Sequence, residues 1–289
     1  MDSVTTIMTN LIKNAAEANK AVAGDYIGED GLLYCGKCKT PKQCVLSSNI
    51  FDGDGELKVG CMCDCAAEEE RCRKQREEEN KRRENITRLR QICFSGLRER
   101  LANAAFANDD GSNPKITKIA KRYADNFAQM RKEGQGILFY GSVGRGKSFT
   151  AACIANAVLE QNIPVLMTSF GRIVAQLQQN FDDRHSYYEW LNSFPLLIID
   201  DFGAERGTEY MQEIIYTVID NRYESNRPMI ITTNLDAESI RRIKESDLFH
   251  QRIFGRINEC CIGIEVNGEN RREKLARDNF KNAKELLGV

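Results

Sequence analysis

Lys147 and Ser148 close the run "GSVGRGKS", residues 141–148, which fits the spacing G-x-x-x-x-G-K-[ST]. Gly141, Gly144 and Gly146 let the backbone bend so that successive N–H groups turn inward, and Ser142, Val143 and Arg145 fill the positions between them. Such a nest of amides at a helix N-terminus holds phosphate oxygens. The spacing predicts that Lys147 reaches the β- and γ-phosphates of a nucleotide and that the Ser148 hydroxyl ligates Mg²⁺. The flanks agree: an apolar run, "GILFYG", precedes the glycines and a helix over 147–161 follows.

Two further groups complete a hydrolytic constellation. In "FPLLIIDDFGAE" a buried strand delivers Asp200 and Asp201 at its carboxyl end, where ligands bind in parallel sheets. Asp200 is placed to hold the metal ion through water, and Asp201 to orient or deprotonate an attacking water. In "IITTNLD" another strand ends in Thr232, Thr233 and Asn234, and Asn234 is the candidate sensor of the γ-phosphate. ATP, Mg²⁺ and hydrolysis follow as expectations. No acceptor-binding motif stands out, so a switch driven by ATP is expected rather than a phosphotransferase.

The chain carries 11 cysteines, 8 of them before residue 94. "YCGKCKTPKQC" supplies Cys35, Cys38 and Cys44, and "KVGCMCDC" supplies Cys61, Cys63 and Cys65. In a reducing compartment such clustering points to metal rather than disulfides. A C-x₂-C turn gives two thiolates, Cys35 and Cys38, and a second cluster completes a four-sulfur structural zinc site. The other two ligands come from Cys61, Cys63 and Cys65; alternation along a strand would put all three on one face, and a turn breaks that symmetry. An iron–sulfur cluster uses the same ligand type and is the alternative. Cys72, Cys93, Cys153, Cys260 and Cys261 read as small core hydrophobes.

These groups need elements to position them. Apolar runs at 136–141, 164–169, 195–200, 228–233 and 261–266 alternate with helical stretches at 147–161, 171–180, 208–225, 236–244 and 271–287. That order predicts a parallel five-stranded sheet covered on both faces. A helix starting at Pro114 precedes it, residues 66–100 form a charged helical stretch with i, i+4 pairs, and residues 1–30 begin with a helix. The composition shift at "NDDGSNP" sets the expected boundary: an N-terminal zinc-binding and helical domain over 1–110, and a nucleotide-binding domain over 111–289. Hydrophobic residues make up 42% and charged residues 29% of 289, with a net charge of −1, which excludes binding of polyanions by bulk charge. No run of 18 apolar residues appears, and the first residues lack the pattern of a signal peptide, so a cytosolic protein is expected.

Together "GSVGRGKS", "LLIIDDFGAERGTEYMQEIIYTVIDNRYESNRPMIITTNL" and "HQRIFGRINECCIGIEVNGENRR" resemble the DnaC-like AAA+ ATPases, the replicative helicase loaders of bacteria and phages, with the IstB-like transposition helpers as cousins. The resemblance spans roughly residues 114–289. It implies an AAA+ P-loop NTPase core that self-associates and holds single-stranded DNA during replication initiation, with an N-terminal appendage that grips the replicative DNA helicase. It implies an arginine in "HQRIFGR" that reaches a neighbouring subunit's nucleotide, Arg252 first and Arg256 second. It implies a second arginine in "GENRR" that contacts the γ-phosphate in the same subunit, Arg272 ahead of Arg271, although the spacing after the glycine is one residue shorter than is usual. Many relatives carry Glu where Asp201 stands, so hydrolysis is expected to be slow and DNA-stimulated. A transposition helper is the alternative, disfavoured because such helpers usually lack a metal-bearing N-terminal module. Thr168 to Phe170 and the helix over 171–180 are the candidates for DNA contact by their place in that fold.

Overall fold

The computed structural model describes residues 21–47, 56–179, 183–203, 208–244 and 248–288. The helix expected at the start of the chain falls largely outside them. The chain divides into two compact units at Arg82/Arg83, and each is described by itself.

The first unit is built on two short hairpins. Strands β1 (Tyr26–Ile27) and β2 (Leu33–Tyr34) pair antiparallel, as do β3 (Gln43–Ser47) and β4 (Glu56–Gly60). Asp25 staples this small unit. One carboxylate oxygen accepts from the Gly36 N–H at 3.0 Å, and the other accepts from the Val22 N–H at 2.9 Å and from Lys42 Nζ at 2.6 Å. The Lys42 ammonium, followed by those amides, holds the Asp25 carboxyl down to about 2. Helix α1 (Asp64–Cys93) begins here and continues past the unit boundary.

The second unit takes in more than the expected 111–289, because residues 83–110 belong to its core. Leu89 and Cys93 of α1, Phe94, Leu101 of the short helix α2 (Glu99–Ala102) and Ala104 share one apolar cluster with α3 (Pro114–Asp125) and the helix that follows the glycine-rich loop. The signal at "NDDGSNP" marks a turn within this unit. Asn113 caps α3 there, its side chain accepting from the Ile116 N–H, with Pro114 at the first helical position. A helix α4 (Phe127–Glu133) leads to the sheet.

The sheet is parallel throughout, in the order β6-β7-β8-β5-β9: β5 Gly136–Tyr140, β6 Val165–Thr168, β7 Leu196–Phe202, β8 Met229–Thr233 and β9 Cys261–Glu265. β6, β7 and β8 are buried over nearly every residue, as strands covered on both faces must be. Gly136 stands where β5 runs between β8 and β9, and a Cβ there would lie 1.8 Å from the Met229 carbonyl oxygen. Helices α5 (Lys147–Leu159), α6 (Phe170–Gln179), α8 (Glu209–Glu224), α9 (Ala237–Lys244) and α11 (Arg271–Leu287) match the helical stretches read from the sequence. Two helices were not in that reading, α7 (Arg184–Ser193) and α10 (Leu248–Cys260).

Helix α5 is buried nearly all round, its alanines 151, 152 and 155 allowing close approach to the strands. Its one buried amide, Asn156, fixes the chain that precedes the sheet. Nδ2 donates to the carbonyls of Leu101, Ala104 and Ala152 at 3.2, 2.9 and 3.2 Å, and Oδ1 accepts from Arg90 Nε at 3.0 Å. A carbonyl left unpaired there would cost about 1–3 kcal/mol, so the 90–104 segment is tied to the helix that starts at the phosphate loop.

Candidate nucleotide site

β5 ends at Tyr140 and the loop 141–146 turns into α5. The three glycines take positive φ, 125° at Gly141, 81° at Gly144 and 94° at Gly146, which other residues adopt only with strain. At Gly144 a Cβ would fall 1.9 Å from Asn270 Oδ1, so this position is closed to side chains. α5 opens at Lys147 with no side-chain cap, leaving its first amides for a ligand. Lys147 is 6% exposed, and its Nζ donates to the Gly141 and Ser142 carbonyls at 2.7 and 2.8 Å. Burial pulls the ammonium below its ordinary value, while Asp201 and Asp200 pull it back up.

A cavity of 460 Å³ lies over this loop. Gly144, Arg145, Gly146, Lys147 and Ser148 line it, together with Asp200, Asp201, Thr232, Asn234, Arg271 and Arg272. Gly141, Ser142 and Val143 form the rising limb of the loop outside that lining, and Val143 is exposed. The acids arrive by an irregularity in β7. Ile199 pairs with Ile231 and Phe202 with Thr233, so Asp200 and Asp201 oppose the single residue Thr232. Such a bulge re-aims side chains that plain alternation would send to opposite faces. Asp201 has φ 62°, a left-handed conformation that Asp tolerates. Asn234 Nδ2 donates to Asp201 Oδ1. The donor set suits a magnesium nucleotide: a hydroxyl and a carboxylate for a hard cation, amides and an ammonium for phosphates.

The two arginines of "GENRR" separate by partner. Arg271 is 17% exposed and ion-paired to Asp109 and Asp110 at 2.6 and 2.9 Å, with Nε donating to Ser112 Oγ and its own N–H donating to the Gly144 carbonyl at 2.9 Å. Arg272 is exposed, and its guanidinium makes no ion pair among the described residues. In α10, Ile253 and Phe254 are buried, and Arg252 is exposed outside the cavity of its own chain. Arg256 is committed internally. It pairs with Asp220 at 2.6 Å, and its guanidinium sits 4.6 Å above the Tyr216 ring.

Missing from the sequence reading is the fourth wall of the cavity: Arg100, Leu101, Asn108 and Asp110. Their segment carries no motif; Asn156 ties Leu101 and Ala104 to α5, and Arg271 ties Asp109 and Asp110 to the loop. The DNA-contact candidates need correction. Phe170 is fully buried, with its ring 5.7 Å from Phe202, and Thr168 is buried. The Arg172 guanidinium donates to the carbonyls of Ser95 and Gly96. Neither the ring nor that arginine is presented for stacking on bases.

In the first unit Cys35, Cys38, Cys63 and Cys65 come together, all four sulfurs within 4.8 Å of one another. Cys35 and Cys38 sit on the turn after β2, and Cys63 and Cys65 sit where β4 gives way to α1. Cys65 Sγ is 3.6 Å from Cys35 Sγ and 3.4 Å from Cys63 Sγ. A tetrahedral ion with zinc–sulfur bonds of 2.3 Å requires sulfurs about 3.8 Å apart, so the set fits zinc. The Thr40 hydroxyl, with backbone amides, lowers the Cys38 thiol to about 5. Cys61 is not in the group. Its N–H prolongs the β3–β4 ladder to the Lys42 carbonyl, and its sulfur faces the Pro41 carbonyl at 3.5 Å. Among the remaining cysteines, Cys93, Cys153 and Cys261 are buried as core residues, whereas Cys72 and Cys260 are half-buried.

The fold has known counterparts. The replicative helicase loader DnaI of Bacillus subtilis is 27% identical over 189 residues, covering 61% of this chain and 60% of that protein. The replicative helicase loader DnaC of Escherichia coli K12 is 28% identical over 173 residues, covering 56% and 68%. The chain thus spans about three fifths of the length of DnaI. Crystal structures of DnaI and of the DnaC helicase loader superpose with TM-scores of 0.53 and 0.52 at 23% identity, over 64% and 59% of this chain, which shows that the chain shares their fold. The profile of the IstB-like ATP binding proteins matches residues 65–279, most of the chain, and the protein belongs to that family.

Proposed function

We propose that the protein is an ATP-driven loader that places a replicative DNA helicase on single-stranded DNA, with nucleotide binding and hydrolysis switching assembly and release. The observation that carries this reading is the division of arginines around one cavity. Arg272 lines it beside Lys147, Ser148, Asp200, Asp201 and Asn234, whereas Arg252 is exposed and outside it. An arginine exposed outside the cavity of its own chain suits hydrolysis that waits for a neighbouring copy. The DnaI and DnaC relatives, named as replicative helicase loaders, support the choice of task.

In this reading the amides of Gly144 to Ser148 and the Lys147 ammonium hold the β- and γ-phosphates. Ser148 and Asp200 hold Mg²⁺, which neutralises charge on the phosphate oxygens. Asp201 takes a proton from the attacking water as the water oxygen bonds to the γ-phosphorus. The bond from that phosphorus to the bridging oxygen breaks, and ADP and phosphate leave. Asn234 orients Asp201 and the water, Arg272 contacts the γ-phosphate in cis, and Arg252 of an adjacent copy meets the charge that develops in the transition state. Asp201 is one methylene shorter than Glu, and we expect slow turnover that rises with single-stranded DNA. Cys35, Cys38, Cys63 and Cys65 bind zinc and fold a cytosolic N-terminal module that docks the helicase.

A second reading is favoured by the family profile itself: an IstB-like transposition helper that delivers a transposase to target DNA. The two part on one experiment. Co-purification with a replicative helicase is expected to retain the protein and to respond to ATP; no retention with or without ATP contradicts the loader. Arg252→Ala should bind ATP as wild type does and lose the DNA-stimulated part of hydrolysis, on the order of a 10³-fold effect for a finger arginine; normal stimulated turnover would remove Arg252 from that role. Elemental analysis should find one zinc per chain, lost in Cys63→Ser and kept in Cys61→Ser, and the reverse pattern would refute the ligand set.

A further inference from the structure

We infer that Thr232 is a positioning residue for hydrolysis, holding both acids of the site through a single hydroxyl. The inference rests on the ATPase reading and deepens it. Thr232 stands alone opposite Asp200 and Asp201 in the β7 bulge. It is 1% exposed. Its Oγ1 donates to Asp200 Oδ1 at 2.6 Å and accepts from the Asp201 N–H at 2.9 Å. A hydroxyl has one proton and two lone pairs, so both bonds are made at once.

The two bonds do different work. The first fixes the carboxylate rotamer of Asp200 and leaves its other oxygen for the cation, a fixed orientation in place of a mobile one. The second holds the Asp201 backbone in its left-handed conformation, φ 62°, which an isolated Asp leaves readily. Thr233 secures the far side of the same bulge: its Oγ1 donates to the Phe202 carbonyl at 2.7 Å and accepts from the Leu235 N–H at 3.3 Å. Without the hydroxyl of Thr232, Asp201 would lose a buried partner and the alternation of β7 would compete to turn one acid out of the cavity.

The test compares full-length wild type, Thr232→Val, which keeps the shape, and Thr232→Ser, which keeps the hydroxyl. Equilibrium binding of a fluorescent ATP analogue is measured in EDTA and in Mg²⁺, and ATP turnover alongside. In EDTA all three should bind alike. With Mg²⁺ the Val variant should lose on the order of ten-fold of the gain in affinity that wild type shows, and its kcat should fall on the order of 10- to 100-fold. The Ser variant should remain close to wild type in both. If Thr232→Val shows no cooperative melting, Thr232→Ala takes its place under the same readings. A Val or Ala variant with wild-type magnesium dependence and turnover overturns the assignment, as does a Ser variant that fails equally. If wild type takes up no nucleotide, the ATPase reading falls and this assignment with it; a wild type that binds beside an unaffected Val variant removes Thr232 alone.

Discussion

Strand β8 stands between the strand that leads into the phosphate loop and the strand that ends in two carboxylates, and the geometry of the second unit follows from that order. β5 brings Lys147 and Ser148 to the carboxyl edge of the sheet, β7 brings Asp200 and Asp201, and β8 reaches between them with Thr232 and Asn234. Parallel strands all deliver their carboxyl ends to one edge, so the ends of β5, β7 and β8, far apart in sequence, meet there. The local departure from regularity is confined to the acids. One extra residue in β7 turns both carboxylates to the same cavity; the Thr232 hydroxyl bonds Asp200 and Asp201, and the Thr233 hydroxyl bonds the Phe202 carbonyl.

Around this edge the protein fixes the approach of charge. Arg271 is fastened to Asp109, Asp110 and Ser112 and donates its backbone N–H to Gly144, so the C-terminal helix begins against the phosphate loop. That arrangement sets Arg272 at the cavity, and the Asn270 side chain caps the helix by accepting from the Arg272 and Glu273 amides. The fastening also closes the cavity from the side of residues 100–110, which Asn156 ties to α5. The phosphate loop, the start of α11 and the preceding segment therefore share bonds.

Much of this was legible in the residues. Five apolar runs bounded by turn residues gave the strands of the parallel sheet, and the spacing of Gly141 to Ser148 identified the loop before α5. What could not be read has specific causes. α7 and α10 are helices that the sequence reading does not contain, and nothing in their periodicity sets them below the helices that it does. The bulge in β7 leaves no trace in "LLIIDDF", because it depends on which residue of another strand lies opposite. Asn156 reads as an ordinary polar residue of a helix until three carbonyls converge on it. Five thiols were offered for the metal in addition to Cys44, and the choice against Cys61 came only from where β4 ends and α1 begins. Phe170 is a candidate for DNA contact by its place in the resembled fold; packing against Phe202 puts it inside.

The account as a whole depends on a triphosphate held by the amides of the 141–148 loop and by Lys147. Titration of the purified full chain with radiolabelled ATP and Mg²⁺ measures this directly. Saturable uptake approaching one nucleotide per chain, lost when Lys147 is changed to Ala, is the expected outcome. Absence of uptake by the wild-type chain, or equal uptake by the Lys147→Ala chain, would contradict it.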